Sequence, residues 1–159
     1  MFTGSRSPAP NAAAAPEDTS APAALEGLFA RLERAPRLLV VSHPAVLTVN
    51  QTVYRELAAR GWSLTLVVPR RWRHGYSDED IVPSALPGLE QALLPLPVAL
   101  APRPQRHLYA TLAGRVLART RPDVCFLELE PFALAARQWE GALRRAGVPF
   151  GVQCYENID

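Results

Sequence analysis

A chain of 159 residues, 48% hydrophobic and 20% charged, supports one domain with a substantial core and leaves little for a second. Seventeen arginines, with no lysine, stand against fifteen Asp and Glu, and the formal charge of only +2 excludes the concentrated positive field of a nucleic-acid binder. No run reaches the roughly 18 apolar residues that cross a bilayer, no apolar signal stretch opens the chain, and Cys125 and Cys154 have neither a Cys-x-x-Cys spacing nor a nearby His, which excludes a disulfide scaffold and a structural zinc site. The expected setting is cytoplasmic, with both cysteines as buried, reduced thiols.

Residues 1–24 contain 15 Ala, Pro or Ser, too little apolar surface to offset the entropy of ordering them, so a disordered leader is expected there. The folded domain is expected to begin at residue 25. Leu25, Phe29 and Leu32 share one helical face, and Pro36 ends that helix. Leu38 to Val41 is a continuous apolar run too short for a helix, which predicts a buried strand. Ser42 to Thr48 is a connection. Asn50 then caps a helix with Val53, Tyr54, Leu57 and Ala58 inward and Gly61 as its stop. Trp62 to Val68 is a second strand, closed by Pro69. Strand, helix and strand in this order, with strands apolar on both faces, predict a right-handed parallel unit.

Residues 69–91 have no clear period and read as a long excursion from the sheet. Leu93 to Leu100 is a strand that Pro95 and Pro97 confine to an edge. The spacing predicts a helix over 107–120 with Leu108, Leu112 and Val116 inward and His107 as a structural residue of its first turn. A strand follows over Asp123 to Leu127. Pro131 suits the first turn of a helix that buries Phe132, Ala136, Trp139, Leu143 and Ala146, with Gly147 as its stop. Phe150 to Cys154 is the last strand. The whole is an α/β pattern with a parallel sheet. The chain ends at Asp159, just past a strand, where such a sheet normally continues into a helix, so a truncated domain is expected.

No two of the nine glycines lie two apart, and none falls between His43 and Arg60, so the dinucleotide fingerprint and the phosphate loop are both missing after the first strand. A Gly-x-Ser-x-Gly elbow is also missing, and neither cysteine has a local base, which leaves nucleophilic hydrolysis without support. What remains lies beyond the carboxyl ends of strands, where open α/β sheets bind ligands. Ser42, His43 and Asn50 follow the first strand, Glu128 and Glu130 the fourth, and Tyr155, Glu156 and Asn157 the fifth. These imidazole, carboxylate and amide groups suit a hydroxyl-rich ligand. Each also has a plainer reading as a turn former or helix cap. Glu130 precedes Pro131 and would sit at the positive end of a helix in either reading. Arg70, Arg71, Trp72 and Arg73 have two readings: contact with an anionic ligand or the inner membrane face, or a solvated loop neutralised by Asp78, Glu79 and Asp80.

Three ordered segments carry a family likeness: RLLVVSHPAVLTVNQTVYRELAARGWSLTLVVPRRW, then RPDVCFLELEPFALAARQ, then GVPFGVQCYENID. Over residues 37–159 the chain resembles the N-terminal half of a family 4 glycosyltransferase of GT-B fold, with the Glu-x-Glu-Pro stretch the most specific segment. The resemblance implies a Rossmann-like parallel sheet with helices on both faces, the first half of a GT-B architecture. It further implies a retaining enzyme whose first domain binds a glycan or lipid acceptor and whose second domain, missing here, binds the nucleotide sugar. No metal or other cofactor is implied. Glu130 and Glu156 would be catalytic, with Ser42, His43, Asn50, Glu128, Tyr155 and Asn157 binding substrate. The chain departs from the family in two places. Its first loop has none of the glycines found in many relatives, and Tyr155 stands where many have His. The paired Glu of the donor site, with seven residues between them, belong to the second domain, and no two Glu here have that spacing. The competing reading is a stand-alone flavodoxin-like or receiver-like binding module. A receiver would want an acidic cluster after the first strand, where Ser42-His43-Pro44 stands.

Overall fold

Alternate residues of the central strand feed two different cores. Leu39 and Val41 pack with one apolar cluster and Leu38 and Val40 with another, because successive side chains of a strand point to opposite faces. The strand is therefore covered on both sides, which is why it reads as an unbroken apolar run. A computed structural model of the protein describes residues 34–73, 79–101 and 103–153, all within the unit Arg34–Asp159. The leader over 1–24 and the helix expected from Leu25 lie outside the described residues, as do His74, Asp78 and Cys154.

The elements run β1 (Arg37–Ser42), α1 (Thr52–Ala59), β2 (Ser63–Pro69), β3 (Trp72–Arg73), β4 (Asp80–Ile81), β5 (Leu93–Leu96), β6 (Val98–Ala99), β7 (Leu108–Tyr109), α2 (Ala113–Thr120), β8 (Val124–Glu128), α3 (Leu134–Ala146) and β9 (Phe150–Gln153). Five strands form one sheet in the order β5-β2-β1-β8-β9, every pairing parallel. Tyr54 and Leu57 of α1 join the cluster of Leu38, Val40, Leu66 and Val68 on one face. Val116 and Leu117 of α2, with Trp139 and Leu143 of α3, join Leu39, Val41, Val67 and Leu127 on the other. The protein is a Rossmann-like α/β fold with helices on both faces. Among the described residues no helix is long and apolar enough to cross a membrane.

At the amino ends of β1 and β8, Asp123 ties the strands together. It accepts bonds from the Arg34 guanidinium at 2.7 and 2.8 Å and from the Arg37 N–H at 2.8 Å, and the Arg34 bond holds its carboxyl below the usual range. Gly147 closes α3 at φ +66, a left-handed stop that suits glycine. Cys125 is buried under α3, and burial pushes its thiol up to about 12. It should therefore resist a thiol reagent in the native protein and react only once denaturant opens the core, as a colorimetric thiol count in each state would test.

Several expectations change where long-range bonds compete with local period. The helix expected over 107–120 begins only at Ala113, because Leu108–Tyr109 pairs with Val98–Ala99. The Gln138 side chain also takes both backbone groups of Tyr109, its Nε2–H donating to the carbonyl at 2.8 Å and its Oε1 accepting the N–H at 3.0 Å. A helix would need those groups. Leu112 is thus an extended cap, 62% exposed. Likewise α3 starts three residues after Pro131, leaving Phe132 in the preceding turn at 80% exposed and Ala146 on the outside. Val53 on α1 faces outward. The excursion over 69–91 contains the β3–β4 hairpin. Its later part is pinned by the buried Gln51, whose amide donates to the Ala45 and Ser84 carbonyls and accepts the Leu86 N–H.

Candidate functional site at the carboxyl edge of the sheet

After β1 the chain builds outward through β2 to β5, then returns past β1 to β8 and β9. The crevice between the carboxyl ends of β1 and β8 is where such sheets admit ligands, since the connections leave it in opposite directions. Ser42 and Glu128, the last residues of these two strands, lie in register. The Ser42 hydroxyl donates to Glu128 Oε2 at 2.6 Å and accepts the Ala45 N–H at 2.9 Å. The Tyr54 hydroxyl reaches across from α1 to the same Oε2, also at 2.6 Å. All three residues are buried. Two of the expected substrate-binding residues are therefore brought together, with Ser42 bonded to Glu128 and to the Ala45 backbone. They form the floor of the crevice. Tyr54, expected only as an inward helix residue, is the third member.

His43 stands on that floor as the residue after Ser42. Its ring meets Trp72 at 5.2 Å and His107 at 5.7 Å between centroids. Trp72 and His107 touch at 5.0 Å, and the contacts continue from His107 through Tyr109 to Trp139 at 5.7 and 5.8 Å. His43 Nδ1, His107 Nε2, the Tyr109 hydroxyl and Trp139 Nε1 are all buried and lack a hydrogen-bond partner among the described residues. One cluster thus holds two imidazole nitrogens and two donors, a set that can serve neutral hydroxyl groups or water. His107 places a proton on Nδ1, which bonds the Pro104 carbonyl at 2.8 Å, and so Nε2 is left as an acceptor. Burial, then the neighbouring His107, lowers His43 to about 4. His107 is lowered by burial too, against opposing bonds to Pro104 and Arg103. Both rings are neutral at pH 7.

The remaining site residues separate. Asn50 is no helix cap. It lies in a 3-10 turn over Thr48–Gln51 and its Nδ2–H donates to the Pro44 carbonyl at 2.8 Å. Glu130 is half-buried in the turn after β8, its carbonyl accepting the Ala133 N–H, while its carboxylate has no hydrogen bond or ion pair among the described residues. Tyr155, Glu156 and Asn157 lie outside them; β9 is described to Gln153, in register with Glu128. Beside Glu128 opens a groove of about 690 Å³ with Tyr54, Leu57, Trp62, Phe126 and Gln153 on its walls, within the usual size of ligand pockets.

His107 and Tyr109 were legible in part. A separation of two places both on one face of an extended segment, but the apolar spacing of Leu108, Leu112 and Val116 pointed to a helix instead. Trp72 is 6% exposed, so the side chain expected at a membrane surface belongs to this cluster. Among the described residues no group of three or more His, Cys, Asp or Glu could hold a metal ion. No protein-family model, curated protein or solved structure matches the chain.

Proposed function

We propose that the chain is the acceptor-binding domain of a retaining family 4 glycosyltransferase of GT-B architecture, which moves a sugar from a nucleotide donor to a hydroxyl of a glycan or lipid. The observation that carries this reading is the set of groups at the carboxyl ends of β1 and β8: the bonded Ser42–Glu128–Tyr54 floor, His43 with its buried, unsatisfied polar neighbours, and Glu130 in the turn after β8. Neutral imidazoles and aromatic rings favour an uncharged, hydroxyl-bearing ligand, because they offer hydrogen bonds and apolar faces without a net charge to satisfy. The three quoted segments supply the family.

In this reading the crevice orients the acceptor hydroxyl, which is the protein's main lever in a two-substrate transfer. Glu130 is the candidate catalytic residue on the described chain and Glu156 the second candidate. Ser42 and Glu128 act through the shape of the floor. Asn50 acts by holding the loop over Pro44–Val46. The nucleotide sugar is held in such enzymes by the other domain, which also supplies most of the charge stabilisation at the departing phosphate.

Glu130→Ala, in an enzyme containing both domains, should lower transfer by roughly 10²-fold or more while changing stability by no more than about 0.5 kcal/mol. Equal losses of activity and folded fraction would remove Glu130 from the site. Calorimetry of the 159-residue chain with a panel of nucleotide sugars should detect weak or no binding. A dissociation constant near ~1 μM would place the donor site on this domain and defeat the proposed division of labour.

A further inference from the structure

The basic run at the end of β2 divides in two. Trp72 turns inward onto His43 and His107, and strand alternation sends Arg71 and Arg73 the other way. With Arg70 they line a separate cleft of about 290 Å³, walled by Asp80, Pro97, Val98 and Ala101. The cleft lies where β2 and β5 end, with the Arg70 N–H bonded to the Leu96 carbonyl at 2.7 Å. This is the same ligand-binding edge of the sheet as the β1–β8 crevice.

The lining residues include three arginines and a single carboxylate. Asp80 stands 3.5 Å from Arg73 Nε and 3.9 Å from Arg71 Nη1, both longer than the roughly 2.7–2.9 Å of a formed charge-assisted bond. Exposed pairs of this kind hold their partners weakly. Each guanidinium also carries five N–H donors in a planar fork. The cleft is therefore left with net positive charge and donors that a short, multi-oxygen anion would satisfy. Apolar walls at Pro97, Val98 and Ala101 strengthen that attraction by excluding water from one side. The chain has no extended basic stripe for a nucleic acid, and Trp72 is buried, so among the described residues of the hairpin no aromatic side chain is exposed to a membrane interface.

We propose that the Arg70, Arg71 and Arg73 cleft binds a phosphate group, presented by a soluble phosphorylated ligand or by a lipid headgroup. Arginine forks match the geometry of phosphate oxygens, and three arginines line this one cleft. The site stands apart from the proposed sugar transfer, since it sits on the opposite side of the hairpin from His43 and needs no second domain.

The test is titration of the full 159-residue chain with inorganic phosphate and pyrophosphate at constant ionic strength, followed by NMR at the amides of Arg70 to Arg73, Val98 and Ala101 and at the arginine side chains. Saturable shifts there, absent with chloride, are expected. Arg71→Gln and Arg73→Gln should each weaken binding about tenfold. Asp80→Asn should tighten it severalfold by removing the competing carboxylate, a gain that damage to the fold cannot produce. In a second arm the protein is co-sedimented with phosphatidylglycerol vesicles and with phosphatidylcholine vesicles. Binding of the soluble anions assigns a soluble ligand, whereas arginine-dependent binding confined to phosphatidylglycerol assigns a headgroup. Failure of both arms, binding indifferent to the arginine variants, or weakening by Asp80→Asn would overturn the proposal.

Discussion

Glu128→Ala should lower the unfolding free energy by about 3 kcal/mol, although Glu128 reads from sequence as a substrate-binding residue. One carboxylate oxygen accepts both the Ser42 and the Tyr54 hydroxyl at 2.6 Å, and all three side chains are buried. Alanine removes the acceptor of two buried donors at once. Each lost bond of this kind costs roughly 1–3 kcal/mol, because the desolvated hydroxyl is not returned to water. The void left by the side chain adds to the loss. Glu128→Gln retains an acceptor oxygen and should cost distinctly less. Urea unfolding of the two variants, with Tyr54→Phe as a partner in a double-mutant cycle, measures the coupling. A loss under about 1 kcal/mol for Glu128→Ala would mean that the hydroxyls find other acceptors, and the rigid floor of the crevice would be lost as an idea.

Stability should also fall by about 3 kcal/mol between pH 6.5 and pH 4, through His43. The group ordinarily titrates near 6.5 and is held near 4 in the folded protein by burial and by His107. As pH falls, the unfolded chain takes up the proton first. The stabilisation is therefore complete above about 6.5, declines through the interval and levels off below about 4. His107 is shifted in the same direction and steepens the decline. Asp123, held below its ordinary 3.8 mainly by Arg34, acts in a separate window: its contribution is present above 3.8 and is lost only at more acid pH. Urea midpoints at several pH values between 4 and 7.5, for the native chain and for His43→Phe, distinguish these contributions. A flat profile, or an unchanged slope in the variant, would show that the imidazole is not held neutral in the cluster.

The sheet and its order of elements were open to sequence reading because each depends on local pattern. Leu38 to Val41 and the run before Pro69 are apolar without alternation because both faces of those strands are covered, a fact that local composition records directly. Gly61 and Gly147 marked their helix ends because positive φ suits glycine. The carboxyl edge was legible by the same logic, as Ser42 and His43 must follow a strand that ends where β1 ends.

Tertiary structure alone decided which of those polar groups meet. Glu128 is 86 residues from Ser42 and 74 from Tyr54, and no periodicity encodes partners at such separations. The same holds for His107. Its segment carries a helical spacing of apolar residues, yet Gln138, 29 residues from Tyr109, claims the backbone and turns the segment into a strand that buries His107 against His43 and Trp72. Trp72, too, sits in a charged run that composition assigns to solvent. Composition and period report how much surface a segment can bury; which buried polar atom satisfies which depends on hydrogen bonds between distant parts of the chain, and these form only once the sheet brings those parts together.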